Sequence, residues 1–297
     1  MHPQRRGMLE MVAAMLISGT IGWFVLISGR PVLDVVFWRC LIGAVTLLVI
    51  CAAMGFLRAG VLTRATFTLA VLSGVAIVGN WLLLFAAYSG ASIAIATAVY
   101  NVQPFMLVGL AALFLGERIT RVKITWLSVA FLGMLAIVSA HGAGAESGAN
   151  YLLGIALACG AAFLYAIAAL IIKRLTGTPP HVIALIQVCT GVLMLAPWLN
   201  TEALPTGATA WGSLLTLGVV HTGVMYVLLY SAIQRLPTAL TGALSFVYPI
   251  AAILVDWVAF DHRLSALQWL GVSMILLAVA GMQRGWAPRR WKSAAAA

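Results

Sequence analysis

Apolar runs of about twenty residues, each closed by a short polar loop, fill the chain from end to end. Ten runs are marked, at residues 8–28, 32–54, 66–88, 92–115, 122–140, 151–173, 181–200, 209–232, 238–260 and 264–283. Each is long enough as a helix to cross a hydrocarbon layer of about 30 Å. None alternates polar and apolar residues as the strands of a barrel must. In lipid, the open structure that satisfies its own backbone groups is the helix. The pattern therefore predicts an all-α polytopic membrane protein with ten transmembrane helices. The first run is too long for a signal-peptide core and is expected to stay as a membrane helix.

Composition agrees: 63% of the 297 residues are apolar and only 8% are charged. The net charge of +10 does not point to nucleic acid, because the basic residues sit in short loops. Fourteen of the 17 Lys and Arg fall at the two termini and in every second loop; Arg30, Arg39 and Arg263 are the exceptions. Basic loops stay on the cytoplasmic side, so both termini are expected there. Cys40, Cys51, Cys159 and Cys189 lie inside apolar runs and are expected as buried free thiols. No metal ion or cofactor is expected.

The chain also repeats itself. Residues 81–120 and 226–265 align without a gap, with eight identities in forty: Leu83, Leu84, Ala87, Ala94, Ala98, Val102, Pro104 and Arg118 fall on Leu228, Leu229, Ala232, Ala239, Ala243, Val247, Pro249 and Arg263. A repeat of this kind sets the fold. Five spans per half is an odd number, so the second half enters the membrane from the opposite side. The predicted plan is two inverted five-helix repeats, 8–140 and 151–283, joined by a Gly/Ala-rich linker 141–150 and followed by a cytoplasmic tail 284–297. Inverted repeats are a device of secondary transporters, with the substrate held between the halves near mid-membrane.

The candidate chemistry gathers at that depth. Pro104 and Pro249 are read as helix kinks that free a carbonyl four residues back. Thr97, Asn101 and Pro104 share one helical face, and so do Thr241, Ser245, Pro249 and Asp256. Tyr100, Gln103 and Tyr248 lie beside them. Trp81 and Phe85 are expected to form an outer aromatic gate, and Tyr226 and Tyr230 an inner one. Tyr88 suits an interfacial belt. His221 is an ionisable group inside a span and so a functional candidate, while Trp23 and Tyr165 are candidates to complete an aromatic cavity. Arg39 is read as structural, with Asp256 as a possible ion-pair partner. A cavity of this kind suits amphipathic or zwitterionic solutes. Phosphorylated ones would call for several Arg or Lys. No Gly-x-Ser-x-Gly, His-Glu-x-x-His or aspartate pair suggests an intramembrane enzyme, and a channel has no need of an inverted repeat with two gates.

Trp38-Arg39 in the second span, the mid-span Pro104 and Pro249, and Gly116-Glu117-Arg118 closing the fourth span resemble the EamA type of the drug/metabolite transporter superfamily. The resemblance covers nearly the whole chain and is strongest to YddG-type exporters of aromatic amino acids. It implies a bacterial inner-membrane exporter of small amphipathic metabolites, foremost aromatic and other neutral amino acids, working by alternating access as a monomer or homodimer. Export of organic cations and other drugs is the alternative it leaves open.

Overall fold

A computed structural model describes residues 3–58, 62–91, 93–139, 149–199, 204–251 and 265–286. Within these residues the regular structure is helical throughout. The first half holds α1 (Pro3–Ser18), α2 (Ile21–Ile27), α3 (Val32–Ala53), α4 (Arg64–Gly90), α5 (Ile93–Tyr100), α6 (Gln103–Leu115) and α7 (Arg121–Ser139). The second holds α8 (Ala149–Arg174), α9 (Pro180–Leu195), α10 (Ala208–Gly218), α11 (Met225–Arg235), α12 (Thr238–Ser245) and α13 (Ala266–Arg284). Seven described stretches are long and apolar enough to cross a membrane. Shorter apolar helices, Gln103–Leu115 and Thr238–Ala251, stand where the sequence marks the fourth and ninth spans.

Each of those two spans is broken ahead of its proline. α5 ends at Tyr100, Asn101 and Val102 form a turn, and α6 starts behind Val102 with Pro104 in its first turn. α12 ends at Ser245, and helix resumes after a turn at Phe246, so Pro249 again lies near the start of a new segment. The expected kinks thus take the form of interruptions just ahead of each proline, at Asn101–Val102 and at Phe246. At the start of a helix the missing N–H is an orphan in any case, and the fixed φ of proline suits the first turn. Pro104 packs inward against Gly242 of α12, where an added Cβ would lie 3.1 Å from the Pro104 Cβ.

Two further breaks sit close by in the bundle. Gly19 and Thr20 separate α1 from α2. Val219–Val224 forms a wide π turn that joins α10 to α11. The π turn lies against α3, and three glycines allow that approach. A Cβ on Gly218 would lie 2.4 Å from Ile42, one on Gly43 would lie 2.6 Å from Thr222, and one on Gly223 would lie 2.9 Å from Thr46. Close backbone approach through small residues is how helices associate in lipid, where no hydrophobic force drives them together.

The helix pairings exchange between the halves. α4 packs along α8, and α1 packs along α11; α3 meets α9, α6 meets α12, and α7 meets α13. At the α7–α13 contact, Gly133 and Gly271 face each other, and a Cβ on either would fall within 2.7 Å of the other's carbonyl oxygen.

Charged and polar side chains tie the helix ends together. Glu10 of α1 accepts from Ser231 Oγ at 2.7 Å and from Arg235 Nη1 at 2.6 Å, both on α11. Glu117, just beyond α6, accepts from Thr238 Oγ1 at 2.5 Å and lies 3.6 Å from Lys173 Nζ of α8. Lys173 Nζ also donates to the Leu236 carbonyl, so α6, α8, α11 and α12 meet in one polar knot. The Trp126 indole of α7 donates to the Trp286 carbonyl beyond α13 at 2.8 Å. The cysteines divide: Cys40 and Cys51 are buried, Cys159 is half-buried, and Cys189 is exposed. The expectation of four buried thiols therefore fails at Cys189, which lines an apolar outward-facing groove with Phe67 and Leu193.

Candidate functional site

The broken helices surround a cavity of about 80 Å³. At roughly 15 Å³ per water, it holds on the order of five waters, well short of the roughly 300 Å³ of a ligand pocket. It is a small pocket, lined mostly by aromatic and apolar side chains.

α4 supplies one wall. Trp81, Leu84, Phe85 and Tyr88 recur at helical spacing and all line the cavity, with Asn80 beside them. Asn80 is held by the Ala161 carbonyl of α8 at 2.8 Å, and its Nδ2 lies 3.4 Å from the Tyr100 hydroxyl. The α5–α6 break brings Tyr100, Asn101 and Gln103 to the cavity, side chains that a continuous helix would spread over about 160° of its circumference. Asn101 spends one donor on the Thr97 carbonyl, at 2.7 Å. α8 adds Tyr165, edge-on to Tyr100 with ring centroids 6.2 Å apart. α11 adds Met225, Tyr226 and Leu229, and the α12 break adds Ser245 and Tyr248.

Trp81 and Tyr226 meet in the middle. The indole N–H donates to the Tyr226 hydroxyl at 2.7 Å, and the rings stand edge to face at 5.4 Å. These two residues are 145 positions apart, which is the offset of the internal repeat. Arg39 of α3 completes the cluster. Its guanidinium carbon lies 4.1 Å from the Trp81 ring centre and 6.0 Å from those of Phe85 and Tyr226. Arg39 is fully buried. Nε donates to Thr222 Oγ1 at 3.0 Å and Nη2 to the His221 carbonyl at 3.3 Å, both in the π turn. A π turn leaves such groups pointing sideways, and the Thr222 hydroxyl in turn donates to the Leu217 carbonyl five residues back.

A polar residue stands at the same place in α9. Arg39 and Gln187 are each the eighth residue after the proline that precedes their helix, Pro31 and Pro179. Arg39 reaches Thr222 of the π turn; Gln187 donates to Ser73 Oγ of α4 at 2.8 Å and accepts from the Tyr230 hydroxyl. One position is a cation and the other a neutral amide.

The structure brings Trp81, Phe85, Thr97, Tyr100, Asn101, Gln103, Tyr165, Tyr226, Ser245 and Tyr248 to one cavity. Other expected residues stand elsewhere. Trp23 is 45% exposed on the outside of α2, and its neighbour Phe24 turns inward against His221. His221 is buried outside the cavity; Nδ1 donates to the Thr216 carbonyl at 3.2 Å, and Nε2 meets Thr20 Oγ1 at 2.7 Å. It clasps the α1–α2 break to the π turn. Thr241 turns its hydroxyl back to the Pro237 carbonyl at 3.3 Å and does not line the cavity. Tyr230 lies behind Tyr226 on Gln187. The expected outer and inner gates are therefore not two layers: Trp81 and Tyr226 form one bonded pair. Tyr88, expected in an interfacial belt, lines the cavity. The proposed partner of Arg39, Asp256, lies outside the described residues, and the guanidinium rests on aromatic rings and the π turn.

Sequence reasoning missed Asn80, Ser18 and Met225. Asn80 carries a signal, being a lone amide in a long apolar run. Ser18 becomes visible only with the fold, where it donates to the Met225 sulfur at 3.4 Å across the α1–α11 contact.

A many-helix membrane bundle around a polar and aromatic cavity is the build of a membrane transporter, and the comparisons with known proteins agree. The chain belongs to the EamA-like transporter family, whose model matches it twice, at residues 5–139 and 152–283. It is similar to the uncharacterized transporter YxxF of Bacillus subtilis, with 28% identity over 275 residues, spanning 92% of this chain and 88% of that one. It is also similar to the protein RarD of Escherichia coli, with 28% identity over 225 residues, 74% of this chain and 68% of the relative. A crystal structure at 20% identity superposes with a TM-score of 0.79 over 92% of this chain and 95% of its own, a likeness of fold.

Proposed function

We propose that this transporter exports small amphipathic metabolites, foremost aromatic and other neutral amino acids, across a bacterial inner membrane by alternating access. Both termini lie in the cytoplasm in this reading. The two copies of the family unit are inverted relative to one another and close on the cavity from opposite sides. The observation that carries the reading is the Trp81–Tyr226 pair. Residues at the repeat offset that touch each other are what a two-fold axis through the cavity would give. The exchanged pairings, α4 with α8 and α1 with α11, support the same axis. Aromatic walls favour a ring-bearing solute through edge and face contacts. Among the described residues no Asp or Glu lines the cavity, while Arg39 does, and this argues against organic cations as the main cargo.

The test is uptake of labelled amino acids into proteoliposomes, with unlabelled competitors and with or without a pH gradient. Saturable uptake of phenylalanine, tyrosine or tryptophan, competed by one another, is the expected result. Absence of saturable uptake for every amino acid tried would overturn the reading, and a dependence on the gradient would identify proton coupling.

A further inference from the structure

We propose that Arg39 is the anchor for a carboxylate on the transported solute, and that the Gln103 amide oxygen receives the solute's ammonium group. The proposal rests on the reading of the cargo as an amino acid and deepens it.

The starting observation is an incomplete set of hydrogen bonds. A guanidinium carries five N–H donors and is charged at any pH a cell meets. Arg39 uses Nε on Thr222 and Nη2 on the His221 carbonyl. Nη1 is buried and has no partner. Among the described residues, no carboxylate makes an ion pair with it. The faces of Trp81, Phe85 and Tyr226 offset part of the charge but accept none of the free N–H bonds in its plane. A buried cation left in this state is costly to keep. It becomes favourable when an anion completes it, and the planar fork of arginine matches a carboxylate. Arg39 lines the cavity, so the completing anion is one that the cavity admits.

A second unpartnered atom specifies the rest of the ligand. The Gln103 Oε1 is buried and has no hydrogen bond, and Gln103 lines the same cavity. An amide oxygen is an acceptor alone. The Thr97 hydroxyl is likewise buried without a partner in this cavity, so one free cationic donor and two free neutral groups that can accept match a solute with one anionic acceptor group and one multiple-donor group such as an ammonium. An α-amino acid carries both, with its side chain left for the aromatic wall. A purely structural Arg39 would need its donors filled by the protein, as the side chain of Gln187 is engaged at the equivalent place on α9.

The experiment uses the full chain in proteoliposomes and three competitors of labelled phenylalanine: unlabelled phenylalanine, phenylalaninamide, which lacks the carboxylate, and 3-phenylpropionate, which lacks the ammonium. In the wild type, phenylalaninamide is expected to compete about 100-fold more weakly than phenylalanine, the usual scale for stripping one partner from a buried charge pair. 3-Phenylpropionate is expected to keep the larger part of its competition. Arg39→Gln is expected to lose about 100-fold in kcat/KM for phenylalanine and to stop discriminating it from the amide, with partial rescue in Arg39→Lys. Thr222→Val removes a structural partner of Arg39 and leaves the charge, so this variant is expected to keep the discrimination. Equal competition by phenylalanine and its amide in the wild type would overturn the proposal without any variant. Retained discrimination in Arg39→Gln, or its loss in Thr222→Val alone, would overturn it too. If the wild type transports no amino acid, the functional reading above fails first, and that outcome is distinct from these.

Discussion

Trp81→Phe and Tyr226→Phe are each expected to slow transport about tenfold, and the double variant no further than the slower single. Each change deletes the same hydrogen bond, the 2.7 Å contact across the cavity. Each leaves its former partner to the few waters the cavity holds, a loss of roughly 0.5–1.5 kcal/mol whose upper end corresponds to a tenfold change in rate. The double variant has neither orphan, so its losses do not add. Tyr226→Phe keeps its ring in place, while Trp81→Phe keeps a benzene face for Arg39 and Tyr226 but gives up the five-membered ring of the indole. Initial rates at matched protein density in the liposomes decide the matter. A hundredfold loss in the double variant would mean that the two side chains act separately, and the single closing pair would have to be abandoned.

The second large effect concerns assembly rather than turnover. Gly271→Ala is expected to destabilise the fold by roughly 2–3 kcal/mol through overpacking, and to lower the melting temperature by at least about 5 °C. Its Cβ would lie 2.4 Å from the Gly133 carbonyl oxygen and 3.2 Å from the Ile137 backbone nitrogen. The Ile137 side chain, 2.8 Å away at Cγ1, can turn aside, but the Gly133 carbonyl is backbone, so relief there requires that α7 and α13 move apart. Gly109→Ala is the control, since nothing stands within 4 Å of its added carbon. There, alanine is expected to be neutral or to gain about 0.5–1 kcal/mol of helix propensity. Thermal unfolding in detergent, followed by tryptophan fluorescence, reads both. Equal melting temperatures for the two variants would show that the α7–α13 contact is not tight.

Most of the fold could be read from the sequence because lipid leaves few choices. An apolar run of the right length has to be a helix, and the run boundaries lie within a few residues of most observed ends. Where the runs break is a different matter. The break at Gly19–Thr20 and the π turn at Val219–Val224 depend on packing across the bundle, through His221, Thr20 and Arg39, and no local pattern announces them. The candidate site was partly readable for the same reason. Trp81, Phe85 and Tyr226 stand out on an apolar background, and Pro104 and Pro249 mark the two helix breaks that border the cavity. Trp23 and Phe24 show the limit. They are adjacent aromatics, about 100° apart around a helix, and only the bend at Thr20 decides which one turns inward. Arg39 stands out in its span, but that its guanidinium lies on aromatic rings with one nitrogen unpartnered is not visible until the neighbours are in place.

The unlike pair at the eighth position of α3 and α9 has an electrical consequence. Both residues stand eighth after the proline that precedes their helix, but only Arg39 carries a fixed positive charge there; Gln187 is neutral. If the two copies of the family unit rock past each other, that charge is displaced within the membrane field, where one full traverse is worth about 2.3 kcal/mol per 100 mV. Return of the vacant carrier would then run faster at one polarity than at the other, and replacing Arg39 with glutamine should abolish the difference. Flux under potassium diffusion potentials of opposite sign would reveal it, and a rate indifferent to voltage in the wild type would show that Arg39 stays at a fixed depth.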